Sequence, residues 1–320
     1  AYIDDFEGAK KIVSLGGTYN SWTIASIPLD NTIIDCDTCL QVGNSKRGKM
    51  KWFNEANSVD VRTIYPRRSV QSTQTTVTPL TVAFNPNDRG MYNYNGKYDT
   101  IPDKKTTWNG IMKYLNTTSN DLINENINFI EFSMKIVNPN AGVGKLIIDL
   151  GNISQDAIPN DILNTEDTAK NGTLQVGNDL GTDYRADSTE RRFWSILNPG
   201  IDIPNDPAQD NFIVTSNDPT FDAVNGTENN ANSDVGRRPD TEDLNKSNNV
   251  RNGNDYFQYE IDLNDITNPY IVGEGLEGWR QYKIPLSEFR KKYGNAVFTN
   301  ITFARMWVSG VAAPVILNMF

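Results

Sequence analysis

The sequence predicts a mainly β protein, a sandwich of packed sheets with long polar insertions and few short helices. Three observations carry that prediction. In residues 128–137, Ile130, Phe132, Met134 and Ile136 alternate with Phe129, Glu131, Ser133 and Lys135, the period of a strand with one apolar face. Short β-branched and aromatic stretches recur along the chain with turn residues between them, as sandwich strands do. Finally, 6 Trp, 13 Tyr and 13 Phe supply bulky core material to a chain whose apolar fraction is only 38%.

Taken in order, residues 2–8 read as an opening strand, with Asp4, Asp5 and Glu7 set around Phe6. Gly16-Gly17 makes a turn, and residues 21–28 form a strand ending in Pro28. Cys36 and Cys39 are spaced C-x-x-C with no second ligand pair for zinc and no βαβ unit for redox work. A small disulfide-closed turn in an oxidising compartment is favoured. Residues 46–54 are the one basic patch, read as a strand edge guarded by Lys. Residues 60–66 alternate, and residues 75–84 are rich in β-branched types and end at the turn 85–90. Residues 108–115 are expected as a short helix, and residues 128–137 and 144–150 as a strand pair.

From 151 to 254 the chain is dense in Asn, Asp, Gly, Thr and Pro, with little apolar periodicity. Its many aspartates, from Asp202 to Asp243, invite a calcium reading, but none fits the D-x-[DN]-x-[DN]-G loop. A long polar surface insertion is the expectation. Strands resume at 255–263, 278–289, 300–309 and 314–320, the last expected to share a sheet with the opening strand. One sandwich domain spanning 1–320 is therefore expected, with insertions at about 31–125 and 152–254. The abrupt start at a strand suggests a piece of a much longer protein.

Composition narrows the function. A net charge of -10 argues against nucleic acid and against anionic membrane surfaces as partners. With no histidine, Ser-His-Asp and Cys-His nucleophiles and most catalytic zinc sites are excluded. The longest apolar stretch is far shorter than the roughly 20 residues a membrane helix needs.

The opening strand and the word ending in Phe289, Trp279-x-x-Tyr-x-Ile-Pro-Leu-x-x-Phe, resemble galactose-binding-like jelly rolls. In such modules a structural calcium commonly lies between the first and last strands. That likeness implies a calcium on Asp5, Glu7 and Asn318, the Asn standing where an aspartate is usual.

A more specific resemblance runs through an ordered series of words. They are residues 2–8, 47–54 (Arg-Gly-Lys-Met-Lys-Trp-Phe-Asn), 84–94, 108–112 and 130–134. Further on come 149–156 (Asp-Leu-Gly-Asn-Ile-Ser-Gln-Asp), 241–245 with 256–259, 279–285 and 301–306. The series resembles the SprA/Sov family, the outer-membrane translocon of type IX secretion and gliding motility in Bacteroidota. It covers residues 2–320 and is weakest in 157–240. The Cys36/Cys39 pair is not part of the family pattern.

The resemblance implies a soluble inserted domain of the translocon at the outer membrane and cell surface, on the extracellular rather than the periplasmic side. It would not span the membrane or bind nucleic acid, and it would meet the rest of the barrel, accessory outer-membrane proteins and secreted cargo. Two other readings stand beside this non-catalytic one. A carbohydrate-binding module would need exposed aromatics, for which Trp22, Trp52, Trp108, Trp194, Trp279 and Trp307 are candidates, although core packing explains them better. A hydrolase would need two facing carboxylates, drawn from Glu131, Asp149, Asp156 and Glu260.

Overall fold

The computed structural model describes residues 12–34, 39–55, 57–68, 75–115, 120–138, 144–231, 238–250, 253–264 and 267–320. Among these, the first half of the chain forms β1 (Thr23–Ile24), α1 (Leu40–Ser45), β2 (Gly48–Asn54), β3 (Val59–Asp60) and α2 (Val61–Ile64). It continues with β4 (Thr76–Val77), β5 (Leu80–Arg89), β6 (Trp108–Tyr114), β7 (Phe129–Ile136) and β8 (Lys145–Asn152). After α3 (Asp187–Leu197) come β9 (Asp255–Asp262), β10 (Ile271–Glu274), β11 (Trp279–Pro285), β12 (Lys291–Lys292), β13 (Phe303–Ser309) and β14 (Val315–Met319).

Among the described residues, twelve strands make two six-stranded sheets, ordered β1-β6-β13-β8-β9-β12 and β10-β11-β7-β14-β5-β2, while β3 and β4 pair as a small ribbon. Every strand ladder is antiparallel. The fold is a β-sandwich, as its alternating strands require. On β7, Ile130 and Met134 join the core while Glu131 is exposed. They pack in one cluster with Val82 and Phe84 of β5, Leu317 of β14, Ile284 of β11, Ile148 of β8 and Met306 of β13. Each such apolar side chain contributes about 1.5–3 kcal/mol when fully buried.

The first sheet is covered on both faces. Residues 25–34 cross its outer face, where Ala25 N–H donates to Gly110 O (3.0 Å) and Leu29 N–H to the Tyr256 hydroxyl (3.0 Å). Beneath them, Trp108 and Trp307 meet edge to face at 6.3 Å, packed with Ile27, Ile33, Ile34 and Ile147. Double coverage explains why all of β13 is buried rather than alternating.

It also corrects the helix expected at 108–115. That segment is β6, paired residue for residue with β13 from Trp108↔Ser309 to Tyr114↔Phe303. The alternation read at 60–66 does not continue as strand: β3 stops at Asp60, whose carboxylate accepts from Arg62 N–H (2.8 Å) and caps α2. The turn expected at 85–90 is strand as far as Arg89, because β2 pairs along it. The stretch 31–125, expected as an insertion, supplies β2, β5 and β6 to the two sheets. The Lys-bearing edge is borne out: β2 ends its sheet, and Lys49 and Lys51 hold Asp222 at 3.2 and 2.6 Å.

Candidate metal centre

The insertion between β8 and β9 is organised by aspartates folded back onto their own loops. Asp156 accepts from the N–H groups of Asn160 and Asp161, Asp167 from Asn171 and Gly172, and Asp243 from Ser247 and Asn248. In each case the donors stand four and five positions on, so the carboxylate clasps a tight loop that lacks ladder bonds of its own. Asp206 and Asp218 clasp their loops in a related way, reaching Asn211 N–H and Ala223 N–H.

Two Thr-Glu-Asp words, 165–167 and 241–243, then fasten the clasped loops together. Thr165 and Thr241 form an antiparallel bridge, with Glu166 N–H on Asp240 O (2.9 Å) and Glu242 N–H on Asn164 O (3.0 Å). The Glu166 carboxylate accepts from the N–H groups of Leu180, Gly181 and Asp240, and that of Glu242 from Ile158 and Asn164. Burial raises both carboxyls to about 8, and these backbone bonds oppose the rise.

A second group of acids is less well supplied. α3 places Asp187 and Glu190 in its first turn, where the helix dipole favours negative charge. The loops on either side bring Asp183, Asp206, Asp210 and Glu228 towards them. One carboxylate oxygen each from Asp183, Glu190 and Asp210 lies within 4.8 Å of the others, and the same holds for Asp187, Glu190 and Asp206. Gly181, at φ +79°, lets the chain pass here, since a Cβ would stand 2.2 Å from Asp210 Oδ2.

Part of the charge is answered within the protein. Glu190 Oε2 accepts from Ala208 N–H (2.9 Å), and Asp183 accepts from Arg185 N–H (3.1 Å) and the Tyr94 hydroxyl (3.2 Å). Arg185 and Arg191 form long ion pairs with Asp183 (3.6 Å) and Asp187 (3.8 Å). Glu190 Oε1, Asp210 Oδ1 and Glu228 Oε2, all buried, have no hydrogen-bond partner. Burial, reinforced by the neighbouring carboxylates, pushes Asp210 up to about 10, Glu190 to about 8 and Glu228 to about 7. Chemically the arrangement is an all-oxygen cluster of acids suited to a hard cation.

The residues singled out from sequence fall elsewhere. Asp5 and Glu7 lie outside the described residues, as does the whole opening strand. Asn318 sits in β14, its Oδ1 accepting from the Thr81 hydroxyl (3.0 Å). Cys39 caps α1 and is disulfide-bonded, and no free cysteine occurs among the described residues. Cys36 lies outside them.

All six tryptophans are buried, at 6% exposure or less, so none offers a sugar-stacking platform. The four hydrolase carboxylates are not brought into one cleft. Glu131 pairs with Lys283 (2.8 Å) on one sheet, and Glu260 with Lys145 (2.5 Å) and Arg290 on the other. Asp156 clasps its loop, and Asp149 is held by Arg305.

Sequence reasoning missed Asp183, Asp187, Glu190 and Glu228 because they are scattered over 46 positions rather than spaced in one loop. The available signal was the repeated Thr-Glu-Asp word, which marks the insertion as folded.

Neither protein-family models nor curated protein sequences give a match to this chain.

Proposed function

We propose that this chain is a non-catalytic structural and interaction module of an outer-membrane protein-secretion translocon of the type IX class. It would sit at the extracellular mouth of the channel, shaping or capping it and contacting the barrel, accessory proteins and cargo. What supports this is where the words of the SprA/Sov resemblance lie in the fold. They fall on buried, fold-defining contacts. Arg47 of the word 47–54 is wholly buried, donating to Ala25 O (2.9 Å), Ala157 O (2.8 Å) and Asn44 Oδ1 (3.1 Å). Arg305 of the word 301–306 pairs with Asp149 of the word 149–156. Glu242 of the word 241–245 holds the backbone of Ile158 and Asn164.

Residues that share a pattern because they build a scaffold, with exposed loops free to differ, suit a binding module better than an enzyme. No helix among the described residues is long and apolar enough to cross a membrane.

The test is made in the full-length parent. Residues 1–320 are deleted, and separately a photo-crosslinking residue replaces Val176 or Ile196, which are 99% and 67% exposed. Loss of cargo secretion, with crosslinks to barrel, accessory protein or cargo, is expected. Normal secretion and channel assembly after the deletion would refute the proposal.

A further inference from the structure

The carboxylates around Glu190 are gathered from four separate segments of the insertion. None is held by a close, fully buried guanidinium of the kind that holds Asp149. Glu190 and Asp210 are completely buried, and each turns one oxygen to no partner at all. A buried acceptor without a donor costs about 1–3 kcal/mol, more when charged. Two such acceptors in one cluster call for a donor or a cation between them.

We propose that Asp183, Asp187, Glu190, Asp206, Asp210 and Glu228 form a calcium centre that staples α3 to the loops around 183, 206–210 and 228. Glu190 belongs to both carboxylate triads and is its hinge. The donor set selects the ion class. The six candidate ligands are all carboxylates, and the chain has no imidazole, so soft and borderline metals lack their preferred ligands. Calcium takes 6–8 oxygens at about 2.3–2.6 Å in irregular geometry, which several loops meeting one helix can supply. Magnesium keeps its waters and demands an octahedron, which suits a crowded, buried cluster poorly.

Protons are the competing partner: the same acids can be kept neutral by protonation, with no ion involved. The two explanations part at calcium itself: only a metal centre binds the ion and loses affinity in Asp210→Asn. Asp210→Asn removes a ligand, and it also removes a buried charge that ion-free protein must neutralise.

The full chain, freed of ions by chelator, is titrated with calcium chloride at pH 7.5 by calorimetry and followed by thermal unfolding. Saturable binding is expected, with a midpoint raised by about 5 °C at saturating calcium. Asp210→Asn should weaken calcium binding at least tenfold while leaving the ion-free midpoint unchanged or higher. Terbium luminescence provides a reading that requires no unfolding, excited through Tyr94, whose hydroxyl donates to Asp183. Glu228→Gln serves in the same way should Asp210→Asn not fold.

Absence of both binding heat and midpoint shift in the unmodified chain overturns the proposal. So does calcium affinity unchanged in both variants, and so does magnesium binding as tightly as calcium.

Discussion

Arg305 and Asp149 face each other on adjacent central strands, in register, with Arg305 Nε 2.8 Å and Nη2 2.7 Å from the same carboxylate oxygen. Both side chains are wholly buried. Trp307 Nε1 donates to that oxygen as well (2.9 Å), and Arg305 Nη1 donates to Ser26 O (3.2 Å) on the segment crossing above. The pair thus joins β8, β13 and the covering segment at one point. Burial raises the Asp149 carboxyl, and the charge and hydrogen bonds of Arg305 oppose the rise.

Removing one partner leaves the other charged and without solvent. Arg305→Met is expected to cost about 3–5 kcal/mol in denaturant unfolding. The double variant Asp149→Leu/Arg305→Met should be more stable than Arg305→Met alone, because it strands no charge. A double variant less stable than the single would show that the pair is more than a mutual neutralisation.

The buried acids set a pH dependence with a definite sign. A carboxyl raised in the folded state holds extra protons there between its unfolded value, about 4, and its folded one. Stability therefore falls as pH rises through that window. With Asp183 raised to about 6 and Glu190 and Glu242 to about 8, chiefly by burial, ion-free protein should unfold at lower urea near pH 8 than near pH 5. Urea midpoints measured in chelator across this range check it, and a midpoint that climbs with pH would contradict it.

The clasps make a local prediction. Asp243→Ala strips the acceptor from Ser247 N–H (2.8 Å) and Asn248 N–H (2.7 Å). A local loss of about 1 kcal/mol is expected, read as faster amide exchange in 243–248 while the sandwich strands keep their protection.

Gly90 marks a close crossing between β5 and the start of β2. A Cβ there would stand 2.1 Å from Gly48 O, a backbone atom that cannot rotate away. Gly90→Ala should cost about 3 kcal/mol or more in thermal unfolding. Gly17→Ala, with nothing within 4 Å, is the control and should be neutral.

The sandwich was legible where a segment alternates or runs through β-branched and aromatic residues between turn signals. β7 alternates visibly, and the words at 255–263, 278–289, 300–309 and 314–320 contain β9, β11, β13 and β14. β6 was not legible, because a strand buried on both faces loses its alternation and Trp108-Asn-Gly-Ile-Met then reads as well for a helix. α3 was missed because its apolar part, residues 193–197, is short and its N-terminal turn is occupied by acids of the cluster. The candidate site was illegible for another reason. Its carboxylates come together only through clasps and cross-bridges between residues far apart in the chain, Ile158 and Glu242 being 84 positions apart, and a local pattern does not encode such contacts.

That bridge has a consequence for how such a domain can vary. Thr165 and Thr241 stand near the two ends of the insertion, and below them β8 and β9 are zipped as far as Asn152↔Asp255. The described residues between 168 and 238 extend from this bridge and return to the sandwich, where Asp222 meets Lys49 and Lys51, Tyr92 N–H donates to Ala208 O (2.8 Å) and Phe221 stacks on Phe53 at 4.2 Å. Closing a longer loop costs only about 0.6 kcal/mol per doubling of its length. Exposed stretches of the insertion, such as the one around Val176, can therefore change in length while the bridge and the contacts to β2 and β5 stay as they are.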